Sequence, residues 1–118
     1  MILADTSVWI EHFRAGNNKL VTLLNEGQVS CHPFIVGELA CGNIKNRDEI
    51  LSMLAALPGT PVADHEEIIH FISRHKLHGK GIGLIDAHLL ASVLLSSSKL
   101  WTLDKPLASI AKTLKIGF

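Results

Sequence analysis

The sequence has few cysteines and no long apolar run. Its two cysteines, Cys31 and Cys41, each lie in an apolar stretch. Two cysteines are too few for a cysteine zinc site, and their apolar surroundings predict two buried thiols instead of a disulfide. No segment reaches the roughly 18 uninterrupted apolar residues of a membrane span. The N-terminus also lacks the basic start and cleavage site of a signal peptide, so we expect a cytoplasmic protein.

The 118 residues contain no internal repeat, low-complexity tract or linker, and their formal net charge is zero. Together with 47% hydrophobic content, this predicts one compact domain over residues 1–118. A net charge of zero argues at first against a nucleic-acid partner, since proteins that bind polyanions are usually basic. If four of the 11 acids held metal, however, the remaining charges would sum to +4. Composition therefore does not exclude a nucleic acid.

Short apolar runs alternate with helical patterns along the chain. We predict strands over residues 2–4, 29–31, 60–63, 100–103 and 116–118. We predict helices over residues 8–14, 19–26, 33–41, 48–57, 64–76, 84–97 and 107–114. Thr6 or Ser7 is the expected N-cap of the first helix, and Asp64 with Glu67 has the spacing of a capping box. Alternating strands and helices predict an α/β domain with a mostly parallel sheet.

Four carboxylates interrupt these apolar segments. Asp5 and Asp104 close two predicted strands, where ligands gather in parallel sheets. Glu38 and Asp86 fall on apolar helical stripes and are expected to face inward. Because burying an unpaired carboxylate costs free energy, acids in such positions call for a partner or a metal. Of the four, only Asp104 has a basic neighbour, Lys105, within its segment.

A set of oxygen ligands without a cysteine or histidine cluster favours Mg²⁺ or Mn²⁺ over zinc. Such ions activate water and stabilise the departing oxygen in phosphodiester cleavage. For any one of these acids, helix capping or an ordinary ion pair is about as probable as metal binding. Because Glu38 and Asp86 are both expected to face inward, four unrelated caps or ion pairs explain the whole set less well than a shared metal does.

The chain resembles the PIN-domain ribonucleases, and most closely the VapC toxins of prokaryotic toxin–antitoxin pairs. Four blocks carry the resemblance: residues 3–10 (LADTSVWI), 37–39 (GEL), 86–91 (DAHLLA) and 100–104 (LWTLD). It implies a three-layer α/β/α fold with a sheet of four or five strands. It further implies a Mg²⁺- or Mn²⁺-dependent endoribonuclease that forms a homodimer and is silenced by an antitoxin protein. The implied catalytic and metal-binding acids are Asp5, Glu38, Asp86 and Asp104.

Two other functions stay open at this point. One is a Mg²⁺-dependent phosphoryl-transfer or phosphoacceptor domain that uses Asp5, although Ser7 stands where such enzymes carry a second aspartate. The other is a binding module that recognises RNA or a partner without cleaving. Whether one or two metal ions bind, and whether Asp104 contacts metal directly, is equally open.

Two further features have competing interpretations. Residues 79–83 (GKGIG) either form a flexible loop near the site, with Lys80 contacting RNA, or a weak phosphate cradle. His65, His70, His75 and His78 are spaced poorly for one zinc site and are interpreted as solvated histidines.

Overall fold

A computed structural model describes all residues, 1–118. It contains three β-strands and seven α-helices. The strands are β1 (Ile2–Ala4), β2 (Val29–Ser30) and β3 (Lys99–Trp101). The helices are α1 (Thr6–Ala15), α2 (Asn18–Asn25), α3 (Pro33–Ala40), α4 (Arg47–Ala56), α5 (His65–Arg74), α6 (Leu84–Leu95) and α7 (Lys105–Thr113). No helix has the length and apolar character needed to cross a membrane.

The sheet is parallel throughout, with strand order β2-β1-β3. Leu3 of the central strand pairs with Ser30 on one side and Leu100 on the other. All three residues of β1 are buried, and successive side chains point to opposite faces, so helices cover both faces of the sheet. The predicted α/β class with a parallel sheet is confirmed.

The predicted count of four or five strands is wrong. The segments 60–63 and 116–118 do not form strands: one single parallel bridge lies just before the first segment and another lies within the second, each beside an outer strand. One bridge pairs Cys31 with Gly59 and the other pairs Leu100 with Gly117. Pro58 and Pro61 flank the first bridge, and proline has no N–H to extend a ladder, so pairing stops there.

The helices follow the predicted boundaries to within two residues at every end. Pro33 begins α3, and the Asp64–Glu67 capping box begins α5, as predicted. The N-cap of α1 differs: it is Asp5, not Thr6 or Ser7. Of the two cysteines, Cys31 is buried as predicted, whereas Cys41 is exposed because α3 ends there, at the surface.

The main core lies between the sheet and the helices. Its fully buried side chains include Leu3, Trp9, Ile35, Leu90 and Leu107, drawn from β1, α1, α3, α6 and α7. Because the core binds each of these helices to the sheet, it fixes the positions of the loops that follow the strands. Those loops carry Asp5 and Asp104.

Candidate active site

Asp5 lies where β1 passes into α1, and it is only 5% exposed. Its Oδ1 accepts hydrogen bonds from the backbone N–H groups of Ser7, at 3.0 Å, and Val8, at 3.4 Å. The Ser7 hydroxyl donates to the same oxygen. The residue that the sequence places at a strand end is therefore also the cap of the next helix, so its side chain is held in one orientation.

A second strand end closes around the same carboxylate. The Thr102 hydroxyl, just beyond β3, donates to Oδ2 of Asp5 at 2.5 Å. The hydroxyl of Ser7 in turn accepts from the N–H of Leu103 at 2.9 Å, and the N–H of Asp104 donates to Thr102 Oγ1 at 3.0 Å. The loops after β1 and β3 thus form one hydrogen-bonded network around Asp5.

Burial governs the ionisation of Asp5. Removal from water raises the pKa of its carboxyl group, and the hydrogen bonds from Ser7, Thr102 and the backbone lower it only in part. No Lys or Arg compensates the charge, because the chain's single ion pair joins Arg47 and Asp48 on the surface. Asp5 is therefore a buried carboxyl group without a cationic partner in the protein.

Glu38 lies on α3 and is joined to the network through Thr6. The Thr6 hydroxyl donates to Glu38 Oε1 at 2.7 Å, and Thr6 directly follows Asp5. The predicted inward orientation is wrong, because Glu38 is exposed while Ile35 and Leu39 are buried. At 100° per residue Glu38 lies 60° to one side of Ile35, and Leu39 lies 40° to the other. Glu38 therefore falls on the edge of the apolar stripe.

Asp86 lies in the first turn of a helix, and Asp104 is the N-cap of another. Asp86, on α6, is partly buried, and its Oδ2 accepts from the N–H of Gly83 at 3.0 Å. Asp104 is exposed and caps α7 through a 3.0 Å hydrogen bond from the N–H of Leu107. Asp104 belongs to the Asp5 network through its own N–H, whereas no hydrogen bond joins Asp86 to it.

The loop before α6 packs against the start of α7. A Cβ placed on Gly81 would lie 3.5 Å from Cβ of Pro106, so the glycine loop runs beside the first turn of α7. This contact brings the segments that carry Asp86 and Asp104 side by side. Asp104 therefore joins the Asp5 network by hydrogen bonds, Glu38 bonds to Thr6 beside Asp5, and Asp86 is connected only through this loop contact. Each of these carboxylates is directed to a helix cap or a hydroxyl group.

No three of the chain's Asp, Glu, His and Cys side chains converge as a ready metal cluster. The donor set nevertheless fits a hard divalent cation: its side-chain donors are all oxygens, and the buried Asp5 charge has no other partner. The chemistry of these donors therefore suits a Mg²⁺ or Mn²⁺ ion at Asp5.

Sequence reasoning missed Thr102 as a partner of Asp5. Thr102 lies inside the predicted strand 100–103, whereas β3 ends at Trp101, so only the observed strand end places Thr102 at the edge of the sheet that carries Asp5. It also missed His32, which is fully buried beside His88 with ring centroids 6.2 Å apart. Burial, together with the neighbouring His88, lowers the pKa of His32 to about 4. Burial also lowers the pKa of His88.

Comparison with known proteins shows the family of the chain. The PIN domain family matches residues 2–113. This chain is a PIN domain. It is 50% identical over 108 residues to Ribonuclease VapC32 of Mycobacterium tuberculosis, in strains CDC 1551 / Oshkosh and ATCC 25618 / H37Rv. That alignment covers 91% of this chain and 87% of the relative. The resemblance read from the four sequence blocks is confirmed.

Solved structures of other proteins share the fold of this PIN domain. The crystal structure of FitAcB from Neisseria gonorrhoeae matches with a TM-score of 0.63 and 22% identity, covering 95% of this chain and 94% of that one. PAE2754 from Pyrobaculum aerophilum matches with a TM-score of 0.62 and 13% identity, covering 96% and 85%. At such identities the likeness is one of fold.

Proposed function

We propose that this PIN domain is an endoribonuclease toxin of a toxin–antitoxin pair, which hydrolyses RNA phosphodiester bonds with the help of Mg²⁺ or Mn²⁺. The observation that carries the proposal is the buried, uncompensated Asp5 in a chain that is 50% identical to a protein described as a ribonuclease. In this proposal residues 1–118 act as one nuclease domain in the cytoplasm.

The four acids Asp5, Glu38, Asp86 and Asp104 are the proposed metal ligands and catalytic residues. A divalent ion held there would supply positive charge to the scissile phosphate and lower the pKa of an attacking water. Asp5 is the proposed central ligand, because it alone of the four is fully buried. Glu38 and Asp104 are exposed, and on this account they move from their present hydrogen bonds toward the ion.

Ser7 and Thr102 are the proposed positioning residues. Their hydroxyl groups donate to opposite oxygens of Asp5, so the plane of the carboxylate is fixed by both. Partners of this kind orient a metal ligand and maintain its affinity for the ion. Since a ligand carboxylate must be ionised, these hydrogen bonds also support metal binding by opposing the effect of burial on the pKa of Asp5.

The proposed partners are the RNA substrate, a cognate antitoxin protein and a second copy of the chain. They follow from the resemblance to the VapC toxins together with the identity to the M. tuberculosis protein. On this account, expression of the chain alone arrests growth and the antitoxin relieves the arrest.

The phosphoacceptor alternative is not favoured by the geometry. Such domains carry a second aspartate two residues after the first, whereas Ser7 stands at that position and its hydroxyl donates to Asp5. A binding module without catalytic activity would bind RNA and leave it intact.

The direct test is incubation of a total-RNA pool with the purified chain, in the presence of Mg²⁺, Mn²⁺ or EDTA. The proposal expects discrete fragments with either metal and none with EDTA, and mapping of the fragment ends identifies the cleaved RNA. RNA that binds but stays intact with both metals would favour the binding module.

A further inference from the structure

Positive charge is concentrated in the last third of the chain. Residues 75–118 contain six lysines, Lys76, Lys80, Lys99, Lys105, Lys112 and Lys115. The same segment has only two acids, Asp86 and Asp104, and both are proposed metal ligands. The other nine acids lie before residue 75, with five basic residues. The net charge of zero therefore conceals a separation of charge between the two parts of the chain.

Helix α7 presents this charge on one face. Its apolar side, with Leu107, Ile110 and Ala111, is buried in the core. Lys105 and Lys112 lie seven residues apart on the exposed side, about 10.5 Å along the helix axis. Neither α7 nor the residues that follow it carry an acid, and neither lysine has an ion-pair partner. The two lysines thus form no ion pair within the protein.

A groove runs beside this face and reaches the candidate active site. It has a volume of about 340 Å³ and lies between α7 and the outer edge of the sheet. Lys112 and Lys115 line one part of it. Thr102, whose hydroxyl donates to Asp5, lines another. One residue therefore belongs both to the groove and to the Asp5 network.

An aromatic ring completes the groove. Phe118, which is 45% exposed, lines it and packs on Trp101 with ring centroids 5.3 Å apart. The Nζ of Lys19 lies 4.5 Å from the centroid of the Phe118 ring. Lysines that follow a backbone and an exposed ring on which a base can stack are the two elements of a single-strand site.

We propose that the groove lined by Thr102, Lys112, Lys115 and Phe118 binds single-stranded RNA beside the acid site. Lys112 and Lys115 contact phosphates, and a base stacks on Phe118. The proposal rests on the proposed function for the direction of the strand, which leads from Asp5 past Thr102 into the groove. It favours RNA over an acidic protein segment because the groove combines its lysines with an accessible ring.

The test is RNA binding by the full chain carrying Asp5→Asn, which separates binding from cleavage. Fluorescence anisotropy with a labelled single-stranded RNA is measured over a series of KCl concentrations. Each lost phosphate contact lowers the slope of log K against log salt by about 0.7, and at 0.1 M salt it weakens binding roughly fivefold. Lys112→Gln with Lys115→Gln should therefore weaken binding about 25-fold and lower the slope by about 1.4.

A matched control exists at α5. Arg74 ends that helix and Lys76 follows with φ of 53°, just as Lys112 lies in the last turn of α7 and Lys115 follows with φ of 60°. Arg74→Gln with Lys76→Gln removes the same charge from the same backbone conformations and should leave affinity and slope unchanged. Phe118→Leu should weaken binding without changing the slope, because it removes stacking and no charge.

Three results would overturn the proposal. They are no RNA binding by the parent chain at low salt, equal losses in the α7 and α5 variants, and displacement of RNA from the groove by polyglutamate at equal charge concentration. A separate measurement tests the nuclease: if the unsubstituted chain, which keeps Asp5, leaves RNA intact in the presence of metal, the proposed cleavage activity is wrong. RNA bound through Lys112 and Lys115 but not cleaved would support the groove and contradict the nuclease.

Discussion

Thr102 donates a 2.5 Å hydrogen bond to Asp5 across 97 residues of sequence, and this bond joins the ends of the two paired strands β1 and β3. The acceptor is the one buried acid of the candidate site. The same hydroxyl accepts from the N–H of Asp104. Thr102 therefore couples the orientation of Asp5 to the start of α7.

Replacement of Thr102 by valine should weaken metal binding and cleavage together. Valine keeps the shape of the side chain but removes the donor, and loss of an outer partner of a metal ligand costs about 10–100-fold in affinity or activity. The free energy of unfolding should fall by about 1–3 kcal/mol, because the N–H of Asp104 also loses its acceptor. Mn²⁺ titration by calorimetry and RNA cleavage rates measure the two effects.

The matched control is Thr113→Val. Thr113 ends α7, and its hydroxyl donates only to the carbonyl of Ser109, so metal binding and cleavage should stay at parent values. If Thr102→Val behaved like this control, the positioning role would be wrong.

Asp5→Asn should stabilise the metal-free protein at neutral pH. Burial raises the pKa of the Asp5 carboxyl above its usual value of 3.8, so the folded state binds the proton more tightly than the unfolded state. Stability from this group is therefore present at low pH and is lost as pH rises through the folded pKa. The Asp5→Asn variant has no such loss of stability. In EDTA its Tm should therefore exceed that of the parent at pH 7, and the difference should disappear toward pH 4.

Addition of Mn²⁺ should reverse this order at pH 7. The ion stabilises the folded parent through Asp5 and has less affinity for the asparagine variant. A parent Tm that stayed below that of the variant at saturating Mn²⁺ would contradict the assignment of Asp5 as a ligand.

His32 predicts acid sensitivity of the fold. Burial, with His88 nearby, lowers the pKa of His32 from 6.5 to about 4, so the folded state favours the neutral ring. The resulting stability is present above pH 6.5 and is lost as pH falls toward 4, by an amount of order 3 kcal/mol. Urea unfolding at pH 7, 5.5 and 4.5 measures this loss.

The comparison variant is His32→Asn. The Nδ1 of His32 accepts from the N–H of Phe34 at the start of α3, and asparagine preserves an N-cap acceptor there. The variant should lose less stability between pH 7 and 4.5 than the parent. Parallel losses would show that another group causes the acid sensitivity.

Asp104 has one observed role and one proposed role, and substitution separates them. As the N-cap of α7 it accepts from the N–H of Leu107, and asparagine can do the same, so Asp104→Asn should change unfolding by a few tenths of a kcal/mol. Asp104→Ala should cost about 1 kcal/mol. If Asp104 binds metal, both variants lose cleavage equally. If it only caps α7, the asparagine variant keeps the cleavage rate of the parent.

Much of the fold could be predicted because local signals were strong. Apolar runs at residues 2–4 and 100–103, Pro33 before α3 and the capping box at Asp64 each act through neighbours in sequence. The prediction of strands over 60–63 and 116–118 failed for a non-local reason. Whether residues 60–63 extend the sheet depends on pairing with the chain beyond Cys31, and only the bridge at Gly59 forms.

The candidate site shows the same division. Asp5 was recognisable because a charged residue ended an apolar strand, and the structure buries it. The sequence predicts that Glu38 faces inward. In α3, however, Ile35 and Leu39 make the contact with the core, and Glu38 at the edge of that face is exposed to solvent. Thr102 could not be singled out because its role depends on the β1–β3 register.

The measurement that tests the central claim most directly is the rate of RNA cleavage by Asp5→Asn at saturating Mn²⁺. Its control is Asp48→Asn, which removes one carboxylate charge from an exposed ion pair that makes no hydrogen bond to the network. We expect the Asp5 variant to fold, bind RNA and cleave at least 100-fold more slowly than the parent, with the Asp48 variant unchanged. Metal-dependent cleavage by Asp5→Asn at the parent rate would contradict the account.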